Sequence, residues 1–237
     1  MAKSIEKIAH PDYLAYLPDY QMIRDCFRGA RAIKNAGILY LPSLSGQSKE
    51  DYDNYKNRAL FFPITGKTAT TMVGLATTKP PKTEYPETMA AYFSDTEANY
   101  QFTEFYVSVF TEVVLMGRYG VLIDAPETEG DPTLVPYIAE NIVNWKFNSN
   151  GQLSSLLLRE HKLVEGDSRF ETKSVCKYRH CFLNLEGQYQ IEVLNDELEL
   201  ESGPITPLFS GTPIDYVPFT PFGSSGVHFN VDKPPMM

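Results

Sequence analysis

Apolar residues Phe102, Phe105, Tyr106, Val109, Phe110, Val113 and Met116 recur at spacings of three and four along residues 96–116. That rhythm predicts a long amphipathic helix with one wide buried stripe. Asp95 or Thr96 can cap its start and Gly117 can end it. The next seven residues, Arg118–Asp124, read as a covered strand, closed by Ala125-Pro126 before an acidic loop over residues 127–132. Upstream of this unit the pattern is helical. Residues 19–35 carry Met22, Ile23, Cys26, Phe27, Ala30 and Ile33 on one side and Arg24, Arg28, Arg31 and Lys34 on the other. Residues 38–42 then read as a short extended run. Ser48, with Asp51 three positions on, opens a second helix. A third follows Pro63 over Ile64–Ala76, and a short one is expected over 86–94, with Pro86 in its first turn.

Downstream of Asp124 the period changes to two. Strands are expected over 134–137, Ile142–Phe147 and 153–160, the last two joined by an Asn148-Ser149-Asn150-Gly151 turn. A second hairpin folds 170–183 onto 188–194 around residues 184–187, and 197–201 can add a strand. Residues 204–221 hold too many prolines for a central strand, so an edge strand or loop is expected there. The pattern therefore predicts an α+β protein: helices including one long amphipathic helix over residues 1–117, then a mainly antiparallel β-rich part over 118–237. Phe102, Phe105, Val109, Val113, Gly117, Gly120 and Trp145 are the expected anchors of its core.

Composition narrows the classes. The chain has 237 residues, 43% of them hydrophobic and 13% aromatic, enough for a substantial core and too apolar for general disorder. No apolar run approaches the length of a membrane-spanning helix, and residues 1–7 lack a secretory apolar core, so neither membrane insertion nor export is expected. Cys26, Cys176 and Cys181 are too few and too scattered for a disulfide framework. The net charge of −9 argues against a protein that grips nucleic acid along its phosphates, though not against one that DNA passes.

Candidate chemistry is sparse. Gly66-Lys67-Thr68 suggests a phosphate loop, but Phe61 stands where that loop needs glycine. His161, Cys176, His180 and Cys181 lack the paired spacing of a zinc site, and adjacent His180 and Cys181 would point to opposite faces of a strand. Asp124 with Glu127, Glu129 and Asp131 could bind a divalent ion, but a solvated loop is the simpler reading. The histidines at 10, 161, 180 and 228 are too dispersed for a Ser-His-Asp or Cys-His set to be picked out. The expectation is a protein without catalytic residues, metal or cofactor.

Several stretches together resemble one family. Tyr13 through Arg24-Asp25, Gly29 to Gly37, Tyr40-Leu41-Pro42, and Tyr52 to Ala59 with Tyr55 and Arg58 are similar to the opening of a group of tailed-bacteriophage portal proteins. The stretch from Gly117 to Pro126 is the most specific piece, followed by Ile142 to Trp145 and by Pro221-Phe222-Gly223 to Pro234-Pro235. The resemblance spans the chain but only about the first half of a usual member. It implies the peripheral wing of a ring-forming subunit, generally a dodecamer, at the unique vertex of the virion head. Double-stranded DNA is packaged and ejected through such a ring. The implied partners are other copies of the chain, the major capsid protein and, through a stem and clip beyond residue 237, the terminase and head–tail adaptor. Arg24, Arg28, Arg31 and Arg58 become candidates for subunit contact. The alternatives are a capsid-associated adaptor or minor head protein, and an enzyme using a metal at the Asp124 loop.

Overall fold

A computed structural model describes residues 5–79, 82, 84–87, 102–124, 132–166, 168, 170–209, 211–231 and 233–237. Residues 88–94 of the expected short helix, its neighbours Asp95 and Thr96, the first turns of the expected long helix and the acidic positions 127, 129 and 131 lie outside them.

The first helix, α1 (Pro11–Arg28), starts eight residues earlier than the periodicity predicts. Pro11 occupies its first turn, where a missing N–H costs nothing. Pro18 lies inside it and removes one internal donor. Packing overrides that local cost: Tyr13, Tyr20 and Ile23 are all buried along one face. At Gly29 the chain breaks into a separate α2 (Ala30–Ala36), so the single helix expected over 19–35 is two. The extended run expected at 38–42 begins instead as a 3-10 turn, Gly37–Leu39, whose Ile38 and Leu39 are exposed. No strand among the described residues pairs with it, so nothing holds it extended.

Helix α3 (Lys49–Arg58) begins at the expected cap, the Ser48 hydroxyl accepting from the Asp51 N–H, and α4 (Ile64–Ala76) follows Pro63. Helix α5 (Phe102–Met116) ends at Gly117, whose φ of +67° is the left-handed stop. α5 packs on α4 and α1. Its fully buried residues are Leu115 and Met116; Phe105, Val109 and Val113 are only half-buried and Phe110 is exposed. Among the described residues the expected stripe is thus fully buried only at its C-terminal turn. The side chain of Phe102 is outside the described set.

Beyond Gly117, strand β1 (Arg118–Asp124) lies between β2 (Thr133–Ile138) and β10 (Phe219–Gly223) in an antiparallel three-stranded sheet. Gly120 is required by contact: a Cβ there would sit 2.0 Å from the Phe219 ring. The second sheet is an antiparallel meander of β3 (Ile142–Phe147), β4 (Leu153–Glu165), β5 (Thr172–Leu183), β6 (Tyr189–Leu194) and β7 (Leu200–Ile205). Strand β7 starts later than expected because the Asn195 side chain accepts from the N–H groups of Glu197 and Glu199 and holds them in a turn. The proline-rich tail forms edges only: β7, a two-residue hairpin of β8 (Leu208–Phe209) and β9 (Thr212–Pro213), and β10.

Two cores result. One lies between and around the sheets, with Leu122, Ile142, Val143, Trp145, Leu156, Leu158 and Tyr189, and takes in Tyr13 of α1. The other joins Tyr20 and Ile23 of α1 to Ala69, Leu115 and Met116. Helix α1 therefore runs across both the helical and the β-rich parts. Replacing Leu115 with alanine is expected to cost about 2–5 kcal/mol of unfolding free energy in urea titrations, and replacing the only partly buried Phe105 distinctly less. Equal losses would contradict this placement of the helical core.

Candidate functional site

The four arginines expected to face neighbours divide. Arg28, Arg31 and Arg58 are exposed. Arg24 is not available: its side chain is mostly buried and clasps two carboxylates at once. Its Nη1 and Nη2 donate to Glu112 at 2.7 Å each, while Nε and Nη2 donate to Glu140 at 2.7 and 2.9 Å. Burial works against this charge, but the bonds from the two carboxylates outweigh it and raise the guanidinium's pKa. The arginine face of α1 thus contributes an internal strut joining α1, α5 and the 3-10 turn Ala139–Asn141.

A second buried cation marks the seam. Arg118, the first residue of β1, is 5% exposed. Its guanidinium carbon lies 4.1 Å from the centre of the Trp145 ring, and the His10 ring stacks on Trp145 at 3.9 Å. Trp145 is thus in contact with both a cation and an imidazole. The Tyr20 hydroxyl neighbours Arg118 without hydrogen-bond geometry. Among the described residues Tyr20 Oη and both terminal nitrogens of Arg118 have no hydrogen-bond partner. Burial lowers the Arg118 pKa, opposed by Tyr20. His10 also caps α1, its Nδ1 accepting from the Asp12 N–H at 3.2 Å. Burial lowers its pKa; Asp12 opposes the shift and Arg118 adds to it.

A third charged group ties the sheets together. Arg179 of β5 donates to Asp124 of β1 at 2.6 Å and to Glu160 of β4 at 2.7 Å, and the Tyr137 hydroxyl donates to the same Glu160 oxygen at 2.5 Å. Asp124, the centre of the metal-enzyme alternative, is therefore engaged by an arginine. Among the described residues no group of three His, Cys, Asp or Glu side chains could hold a metal ion, and no helix is long and apolar enough to cross a membrane.

The opposite face of the five-stranded sheet carries an arrangement the sequence did not reveal. Paired residues share a face, so Leu156 and Cys181 point to one side, while Leu157, His180 and Glu192 point to the other. Cys181 is buried, which pushes its thiol up to about 12 and leaves it inert. His180 Nδ1 lies 2.7 Å from a Glu192 oxygen, and His180 Nε2 lies 2.9 Å from the Ser155 hydroxyl. A carboxylate only accepts, so Nδ1 carries the proton, and in the neutral ring Nε2 accepts from Ser155. Phe182 stacks on the imidazole at 4.7 Å and limits its rotation. Ser155 and His180 open into a cleft of about 410 Å³ shared with Lys7, Ile8, Asn144, Lys146, Leu157 and Leu194. The turn at 184–187 pairs His180 with Glu192 and is legible in the sequence. The β4–β5 register that adds Ser155 has no such local signal.

Replacing Arg24 with alanine leaves two carboxylates facing each other and is expected to cost about 3–5 kcal/mol in urea unfolding. Replacing Glu112 with glutamine should cost less, since Glu140 still meets the cation. For His10, the folded pKa lies below the ordinary 6.5. Its contribution to stability is present above that value and is lost as pH falls through the lower, folded one. Between about pH 7 and 5 the melting temperature should drop more in the natural chain than in His10→Asn, a cap that does not titrate. Parallel profiles would count against the cap.

No family model matches this chain, and no curated protein matches it in sequence.

Proposed function

We propose that this chain is the wing of a bacteriophage portal subunit, a part of a ring through which double-stranded DNA is packaged and ejected. The residues quoted above, from Tyr13 to Pro235, are the basis of the resemblance, and a mixed fold of helices and antiparallel sheets is compatible with it. In this reading the protein is a structural component of the virion, made in the host cytoplasm. It contacts copies of itself and the major capsid protein, and a second half docks terminase and head–tail adaptor. Its task in the ring needs positioning, and the energy for DNA movement comes from another protein.

The observation that carries the reading is the surface around α3 and α4. Leu60 is fully exposed, and Phe62 and Leu75 are 71% and 72% exposed. Ile38, Leu39, Leu44, Ile64 and Met72 are also exposed. Arg28, Arg31 and Arg58 add exposed positive charge from the same helical part. So many large apolar side chains in one short region of the chain support the reading of a surface that meets other protein. The overall charge of −9 suits a conduit, because tightly held phosphate would stall a moving strand.

Mass measurement and electron microscopy of the gene product that includes this chain test the reading. Closed rings of many identical copies are expected; a stable monomer would overturn it and favour a capsid adaptor. Leu60→Asp combined with Phe62→Asp should reduce assembly while leaving the melting temperature of the unassembled chain within a few degrees, since both side chains are already in water.

A further inference from the structure

We infer that Ser155 is an activated nucleophile and that the cleft above it takes small carboxylic esters with an apolar acyl group. This goes beyond the role in a ring and is independent of it. Four observations meet at one place. First, the hydroxyl, the imidazole and the carboxylate lie in sequence at 2.9 and 2.7 Å, the connectivity by which a serine is made nucleophilic. Second, the polarity is right, because Glu192 fixes the proton on Nδ1 and leaves Nε2 free to take the proton of Ser155. Third, the three residues come from three adjacent strands of one sheet, so backbone hydrogen bonds hold their spacing without a substrate. Fourth, Ser155 and His180 line an open cleft whose walls include Ile8, Leu157 and Leu194.

The step balances without any co-reactant. Ser155 Oγ bonds to the ester carbonyl carbon as its proton passes to His180 Nε2. The carbon–oxygen bond to the alcohol then breaks, and the proton held by His180 leaves with that alcohol. Water reverses the sequence: His180 takes a water proton, the hydroxide attacks the acyl carbon, and the proton returns to Ser155 as the acid departs. Negative charge on the carbonyl oxygen falls within a cleft also lined by Lys7, Lys146 and Asn144. The Asn144 amide spends one of its two N–H groups on the Ile8 carbonyl. Ser155 and His180 are the catalytic pair in this assignment. Glu192 is a positioning residue, acting through the imidazole.

The test uses the intact chain with p-nitrophenyl acetate and, separately, an alkyl fluorophosphonate, followed by intact-mass and peptide mass spectrometry. One adduct per chain, mapped to Ser155, is expected, and His180→Ala should slow its formation by about 100-fold or more. Glu192→Gln should slow labelling by at least about tenfold, with Glu192→Asp recovering part of the loss. A structural hydrogen bond alone would give no such rescue of a labelling rate. An unlabelled natural chain, or an adduct on any other residue, overturns the assignment without reference to any variant's folding. Ring assembly is unaffected by either result, so this inference and the portal reading fail separately.

Discussion

One face of α1 is shared by two hydrophobic cores, and the arrangement of the molecule follows from that constraint. Tyr13 enters the core around the sheets while Tyr20 and Ile23, two turns on, enter the helical core. A helix is stiff over that distance, so the two cores hold a fixed relation as long as α1 is intact. Its two ends are secured differently. At the start, His10 caps the helix while stacked on Trp145; further along, Arg24 grips Glu112 of α5 and Glu140 beside β3. This explains how a helix containing Pro18 persists: tertiary contacts supply more than the lost donor removes.

The same seam gathers the buried charge. Arg24 and Arg179 are each matched by two carboxylates, so their desolvation is offset by bonds that depend on correct geometry. Arg118 differs. Its guanidinium lies against the Trp145 ring and beside Tyr20, with no carboxylate in hydrogen-bond contact among the described residues. Paired charges of this kind lend specificity to the packing, because a slipped strand or rotated helix would strand them. The Arg179 set acts so between the sheets and the Arg24 set between helix and sheet.

Against that rigid interior stand two surfaces of different character. Around α3 and α4 large apolar side chains and arginines face outward. On the outer face of the five-stranded sheet, by contrast, Ser155, His180 and Glu192 satisfy one another beside an open cleft. The first suits assembly and the second suits chemistry, and nothing in the fold forces a choice between them, since they arise from separate elements.

The hydrophobic pattern by itself determined the α+β class, the change from helix to strand at Gly117, the spans of α4 and β3, the Ser48 cap, and the confinement of the proline-rich tail to sheet edges. These are local properties, written in spacing and turn residues. Tertiary structure alone decided the rest. Arg24 looked like a surface cation because its helix neighbours in sequence are solvated; its carboxylates come from residues 88 and 116 positions away. The stripe of α5 looked uniformly buried because periodicity shows which face points inward, but not how far along the helix a partner extends. Ser155, His180 and Glu192 went unseen for the same reason. The turn at 184–187 sets His180 against Glu192, but the β4–β5 register that brings Ser155 within 3 Å of His180 has no local signal and is settled by which faces the whole molecule can bury.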